Sequence, residues 1–433
     1  MLYTFTWTNV SNVVTVTVSY TFNDTGSNDG ISFLPQYTAY GNSRFFSSTT
    51  LITNLTITTF GGIPLSRAPK QFAYVAAGSF IFPNNSDAPL ILPGTSFNQL
   101  FLSSTNISGN CYDWNTSAVT NMSSMFASTT NFSANLSGWN TSAVTNMNSM
   151  LLGASTFVSD ISNWNTSHVT DMSNMFYSSL NISLNLSNWN TSAVTKIEYM
   201  FIYSTNCSVN ISNINVSNVL SARNMFASTT NFTGNCSNLT FYNMSLHGLS
   251  FLCRSSSGFN GNLSNWNLSQ VTGLSAIDYM FANTTNCAGN FSNWNLGSVI
   301  TDMSYFAATS NNLTANFMSW DTSKVTNMKS MFATCINIVH DITQLNTSSA
   351  TNMSYMFHGS VNFNQQIGNW DTRKVTNMLS MFYNATIFNN GDILGGITMP
   401  INWIFNDTVN HDLFSTNSGL TSNNAPIFVI TPI

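Results

Sequence analysis

The sequence is short of charge. Only 6% of its 433 residues are Asp, Glu, Lys or Arg, against about 25% in ordinary soluble domains. Ten Lys+Arg stand against fifteen Asp+Glu, for a formal net charge of −5, and no basic stripe interrupts them. Nucleic acid is therefore excluded as an expected partner, because neutralising phosphates needs clustered cations. Long hydrophobic runs are missing as well: no stretch of about 18 apolar residues is present to span a bilayer. The opening "MLYTFTWTNVSNVVTVTVSYTF" has no basic n-region and alternates polar with apolar residues, as a strand does and a signal peptide does not. With no lipobox-like cysteine and no wall-sorting motif, the expectation is a chain made inside the cell that works in an assembly, without membrane insertion. Cys111, Cys207, Cys236, Cys253, Cys287 and Cys335 form no C-x-x-C pair, which argues against zinc. His168, His247, His340, His358 and His411 are scattered. Nucleophile elbows, P-loops and calcium-binding nonapeptides are absent. Asp160, Asp171, Asp278 and Asp302 are not paired by the pattern. The expectation is no enzyme, no cofactor and no metal.

What the sequence does contain is repetition. A core is available, with 43% hydrophobic residues, and it is laid out periodically. Trp114, Trp139, Trp164 and Trp189 lie twenty-five positions apart, and the column continues through Ile214, Leu239, Trp266, Trp294, Trp320, Leu345 and Trp370. A degenerate copy, "SFNQLFLSSTNIS", precedes them. Self-similarity at this period is the mark of a stacked repeat whose units cannot bury their apolar faces alone. Within a unit, Val119, Met122, Met125 and Phe126 recur as one face of a short helix. Phe132 and Leu136 lead into a short strand that ends at the Trp. The asparagines after Trp (Asn115, Asn140, Asn165, Asn190, Asn215, Asn267, Asn295 and Asn346, with Asp321 and Asp371) are expected to turn the corner and cap the helix. They are also expected to lie buried there, laddering with their equivalents. Cys207 and Cys287 fall in the Phe132 column and Cys111 and Cys236 in the Leu136 column, as apolar filler. A Cys207–Cys236 disulfide is the alternative. The Met column is core.

The pattern Phe-x-x-x-Leu-x-x-Trp-Asn/Asp-Thr-Ser-x-Val-Thr-x-Met-x-x-Met-Phe, clearest in "WDTSKVTNMKSMFATCINI" and "WDTRKVTNMLSMFYNATIF", resembles the 26-residue-type repeat of bacterial surface proteins. That repeat occurs in mycoplasma and Listeria surface lipoproteins and in the wider BspA-like leucine-rich-repeat group. Similar repeats occur in proteins of large DNA viruses. The resemblance covers about residues 87 to 395. It implies a leucine-rich-repeat-like right-handed solenoid and a surface, adhesive or structural role, and it brings no catalytic residues with it.

The expected fold is thus an α/β repeat solenoid, one short strand and one short helical arc per coil, with an N-terminal all-β domain. Residues 1–86 form a β-rich cap or attachment module, 87–395 about twelve coils, and 396–433 a C-terminal cap whose "NNAPIFVITPI" is a strand. The coils are disturbed at Leu252–Gly261, at Gly273–Phe281 and between Trp294 and Trp320. Insertions in such arrays map to loops, as drift or as a binding face. Arg254, Phe259 and Tyr279 are therefore the candidate interaction residues, together with the non-repeating ends. Roughly thirty Asn-x-Ser/Thr sequons follow from the repeat composition. Asn131, Asn135, Asn181, Asn185 and Asn231 are the accessible candidates for glycosylation. The function expected is that of a non-enzymatic structural or decorating protein on a particle, most directly a large-virus virion. It would bind other structural proteins or itself, or a host receptor. A cell-surface adhesin or carbohydrate-binding protein is the alternative, and a glycan-processing enzyme the third reading.

Overall fold

The computed structural model describes residues 2–8, 13–19, 54–57, 72–73, 79–82, 88–237, 239, 241–259, 266, 276–284, 300–310, 320–338, 341–391, 403–405, 408–421 and 425–428. The chain divides into two compact units, Met1–Asn215 and Val216–Ile433.

In the first unit, five strands form one sheet in the order β2-β1-β3-β4-β5. These are β1 (Leu2–Thr8), β2 (Val13–Ser19), β3 (Asn54–Ile57), β4 (Ser79–Ile81) and β5 (Ile107–Ser108). The β-branched alternation of "LYTFTWT" and "VVTVTVS" suits an antiparallel pair, and Phe5 stands opposite Val16. The pairs β3–β4 and β4–β5 are parallel. The sheet therefore runs without a break into the first coil rather than stopping at residue 86. The join is tight. At Gly109, with φ +99°, an added Cβ would lie 2.4 Å from the Phe82 carbonyl oxygen, so only glycine fits.

Beyond it, successive segments stack through parallel bridges twenty-five residues apart, as in Thr105–Thr130–Ser155–Leu180–Thr205 and Asn121–Asn146–Asp171–Lys196. The strands β6 (Ser183–Asn185) and β7 (Ser208–Asn210) belong to this ladder. In the second unit the bridges run Ala276–Asp302–Asn327–Asn352–Asn377–Asn410. There β8 (Ile404–Phe405) pairs in parallel with β9 (Ile427–Phe428), inside the expected terminal strand.

The segment expected to be a helical arc is instead a run of turns. The N–H groups of Met125, Ala127 and Thr129 reach back three residues, to the carbonyls of Met122, Ser124 and Phe126 at 3.3, 3.1 and 3.1 Å. The interleaved N–H groups of Met122, Ser124, Phe126 and Ser128 leave the segment. They bond Asn146, Asn148, Met150 and Leu152 of the next coil at 3.0, 2.8, 2.9 and 2.6 Å. An α-helix needs every N–H for its own i−4 carbonyl, so sharing half of them outward forbids it. The alternation puts Ser124, Ser128 and Asn131 in the left-handed region, at φ 52°, 55° and 53°.

The core columns sit inside: Val119, Met122, Met125, Phe126, Phe132, Leu136 and Trp139 are all buried. Trp114, Trp164, Trp189, Trp266, Trp320 and Trp370 are buried too, whereas Trp294 lies outside the described residues. Trp139 stacks on Trp164 with ring centroids 6.1 Å apart and planes 2° apart. The indole N–H groups of Trp139 and Trp189 donate to the Cys111 and Ile161 carbonyls at 2.7 and 2.9 Å. These two buried indoles are thereby satisfied as well as packed.

The corner differs from expectation in one respect. Asn115, Asn140, Asn165 and Asn190 do make the turn, each side-chain oxygen accepting the N–H two residues on. They are exposed, however, not buried. The buried rung belongs to the next residue. The hydroxyls of Thr116, Thr141, Thr166 and Thr191 donate to the carbonyls of Asn140, Asn165, Asn190 and Asn215 at 2.8–2.9 Å. The repeated phrase Trp-Asn-Thr-Ser is thus a core anchor, a turn and a coil-to-coil bond in succession.

Trp189→Ala should cost about 3–5 kcal/mol, since a large buried aromatic leaves a cavity. Thr166→Val, which keeps the shape and strands one carbonyl, should cost about 1 kcal/mol. Urea unfolding measures both, and a Trp189→Ala chain as stable as wild type would show that the column is not core.

Candidate binding site

The column of left-handed residues that includes Ser124 is half-buried in most coils and holds Ser or Asn at six of its thirteen described positions, with Tyr also at Tyr199 and Tyr355. In three successive coils of the second unit it holds Phe251, Tyr279 and Tyr305, at φ 62°, 54° and 56°. Coil stacking brings equivalent positions together, so the three rings form a row. Phe251 and Tyr279 stack at 4.9 Å and 8°, and Tyr279 and Tyr305 at 4.5 Å and 7°. All three are half-buried. Cations cover the row. The Arg223 guanidinium lies 5.0 Å from the Phe251 centroid, and Lys329 Nζ lies 5.5 Å from that of Tyr305. The exposed Arg254 guanidinium lies 5.4 and 5.8 Å from Phe251 and Tyr279. Such contacts add about 0.5–1 kcal/mol each at exposed sites.

Beside the row, Asp278 accepts hydrogen bonds from the Ser250 hydroxyl and from His247 Nδ1, the latter at 3.0 Å. This Ser, His and Asp do not make a nucleophilic relay. Ser250 also meets His247 through Nδ1, at 3.3 Å, whereas a relay places serine and carboxylate on opposite ring nitrogens. Ser250 is fully buried besides. Among the described residues, no group of three His, Cys, Asp or Glu side chains is placed to hold a metal. No described helix is long and apolar enough to cross a membrane.

Of the candidate interaction residues, Arg254 and Tyr279 come together in the row. Phe259 does not. It is fully buried and pairs in the ladder with Phe232, stacked at 5.5 Å and 7°. It fills the Phe132 slot of its coil and is a core residue. The reason for the misassignment is an inserted pair placed too late. Phe226 N–H bonds the Leu252 carbonyl where its equivalent Phe126 bonds that of Met150, so the two extra residues precede Leu252 and the segment after it is regular. Phe251, Tyr305, Arg223 and Lys329 were missed. Their signal was available: once the insertions are placed, Phe251, Tyr279 and Tyr305 share one column.

The candidate acceptors Asn131, Asn135, Asn181, Asn185 and Asn231 are exposed, and most of their side chains are engaged. Asn131 Nδ2 donates to Asn106 Oδ1 at 2.8 Å, and Asn181 Oδ1 accepts from Asn206 at 3.1 Å. Asn135 and Asn185 accept from Ser137 and Ser187 N–H. Cys111, Cys207, Cys236, Cys253 and Cys335 are free and buried, so Cys207 and Cys236 are apolar filler and not a disulfide. Burial pushes the Cys335 thiol up to about 12. Cys287 and His340 lie outside the described residues. His168 faces solvent, its Nδ1 at 2.9 Å from the Ser142 carbonyl.

The model of the family described as "Mycoplasma protein of unknown function, DUF285" matches at residues 95–208, 153–248, 202–317 and 301–394. The chain belongs to this family. The four overlapping matches follow the coils and reach neither β1–β4 nor β8–β9. No curated protein and no solved structure matches the chain.

Desolvation in the row, followed by the proximity of Tyr305 and a hydrogen bond to it, raises the Tyr279 hydroxyl above the usual tyrosine range. A raised folded pKa contributes stability that is fully present below the unfolded value and lost as pH rises through the folded one. In an ultraviolet pH titration, one tyrosine should therefore ionise late, and Tyr305→Phe should bring it earlier. An unchanged titration in that variant would mean the two hydroxyls do not interact.

Proposed function

We propose that the chain is a non-enzymatic surface protein, a leucine-rich-repeat-like solenoid of the BspA-like kind that decorates a particle through contacts at the Phe251–Tyr279–Tyr305 row. A large-virus virion is the particle this reading favours, with other structural proteins or further copies of the chain as partners. The row carries the proposal. Contact energy concentrates in Tyr, Trp and Arg, and the regular flanks offer mainly Ser, Thr and Asn. The low charge supports a place within an assembly, since such a surface depends on close packing and hydrogen bonds rather than on long-range attraction. The same cations also favour the second reading, a cell-surface adhesin or carbohydrate-binding protein. Nucleic acid fits poorly, because three cations along the row neutralise too few phosphates to hold it at physiological salt.

An antibody raised against the purified chain should label the outside of intact particles released from the producing cells. Particles made with the Arg254→Ala/Tyr279→Ala chain should carry several-fold less label. Label confined to the cell interior would sink the proposal, and undiminished label on the variant particles would move the contact elsewhere.

A further inference from the structure

The row is not an open aromatic platform. Phe251 has Tyr279 against one face and Arg223 over its ring; Tyr279 lies between Phe251 and Tyr305; Tyr305 has Lys329 over its ring. With the faces taken, a ligand meets ring edges, tyrosine hydroxyls and cations. Ring edges carry the positive end of the aromatic quadrupole, so edges and cations select the same sign of charge. Three cations, Arg223, Arg254 and Lys329, outnumber the two acids nearby, Asp278 and Asp302. Asp278 is held by Ser250 and His247, and Asp302 accepts from Ser304 N–H and Asn327 Nδ2 at 2.8 and 3.1 Å. Among the described residues the ion pairs are His247–Asp278 and Arg373–Asp371, so Arg223, Arg254 and Lys329 pair with no described carboxylate. Arg223 also keeps a buried Nε without a hydrogen-bond partner.

We propose that the row binds an anionic polysaccharide laid along the coil stack, its acidic groups held by Arg254, Arg223 and Lys329. This rests on reading the row as the contact surface. Three features favour a sugar polymer over an acidic peptide. The close stacking leaves no pocket between the rings for an apolar side-chain anchor, which peptide recognition needs. The cations are spread from Arg223 to Lys329 over four coil steps, roughly 19 Å at a strand spacing of about 4.8 Å, which suits an extended chain. The neighbouring column supplies Ser255, Asn283 and Thr309, of which Asn283 and Thr309 are exposed. Hydroxyls and amides of this kind match a polyhydroxylated ligand.

Binding of the full chain to immobilised hyaluronan, dextran sulfate, neutral dextran and polyglutamate tests this. Wild type should bind hyaluronan or dextran sulfate, more weakly as salt rises, and leave neutral dextran alone. Whichever polymer binds identifies the acidic group as carboxylate or sulfate. Arg254→Gln keeps the stem on the rings and should weaken binding about tenfold, as losing a charge-assisted bond does. Arg254→Lys should lose less, and Lys374→Ala, on another column, nothing. Absence of binding to both acidic polysaccharides, indifference to Arg254→Gln, or equal loss in Arg254→Lys and Arg254→Gln would overturn the proposal. So would polyglutamate bound as tightly with the same Arg254 dependence, which would make the partner an acidic peptide. Failure here with the particle labelling intact would leave the row a contact surface for protein. Loss of the labelling with polysaccharide binding retained would refute only the particle reading.

Discussion

Turn runs such as Met122–Thr129 give away half of their N–H groups to the next coil, and the rest of the structure answers to that constraint. Met122, Ser124, Phe126 and Ser128 have their acceptors in the next coil, so an isolated coil would bury unpaired donors, at about 1–3 kcal/mol each. The turn run therefore takes its shape from its neighbours. The same alternation forces left-handed residues at fixed places, and it brings Met122, Met125 and Phe126 inside together with the Val and Trp of the adjoining corner. The buried threonine rung repeats the logic at the corner, where Thr116 and its equivalents supply one more bond per coil.

Stacking also explains the scarcity of charge. Each surface side chain lies about one strand spacing, some 4.8 Å, from its equivalents, and like charges directly opposite one another destabilise a ladder. A column of a hundred-per-cent Lys or Asp would repel itself along its length, whereas Asn, Ser and Thr can sit in columns and bond to one another. Where charge appears, it is arranged to avoid this. Asp171 and Lys196, of opposite sign, are paired through the backbone in the ladder. Lys324 and Lys374 are separated in their column by Ser349. Asp371 is held down to about 2 chiefly by its side-chain hydrogen bonds with Arg373.

How much of this was legible follows from which interactions are local. The period, the Trp column and the buried Met, Phe and Leu positions are written in the order of residues, because every coil must bury the same face. The turn run was misread as helical because a spacing of three brings the same residues together in either structure. What separates them is the partner of Met122 N–H, which lies in the following coil and leaves no local trace. The expectation of a buried Asn115 fails for a similar reason: Asn and Thr both turn chains, and only the direction of the corner decides which one faces the neighbour. Phe259 was assigned to the surface through a two-residue slip in register. The same slip hid the row, since Phe251 falls in line with Tyr279 and Tyr305 only when the extra residues are placed before Leu252.

The row itself is where stability gives the weakest account of the sequence. Its column demands a left-handed backbone, which costs a residue with a Cβ roughly 1–2 kcal/mol. Asn tolerates it best, and Asn174 and Asn224 use it elsewhere in this column. Stacked aromatic pairs return about 0.5–1.5 kcal/mol each and cation contacts about 0.5–1, sums of the same size as the conformational cost of three bulky residues. Coils with Ser or Asn at this position keep the same backbone bonds, so the aromatics are not needed to hold the stack. Three of them in register, with Arg223 and Lys329 over the end rings and Arg254 reaching over two, are better explained by the face they present to a ligand.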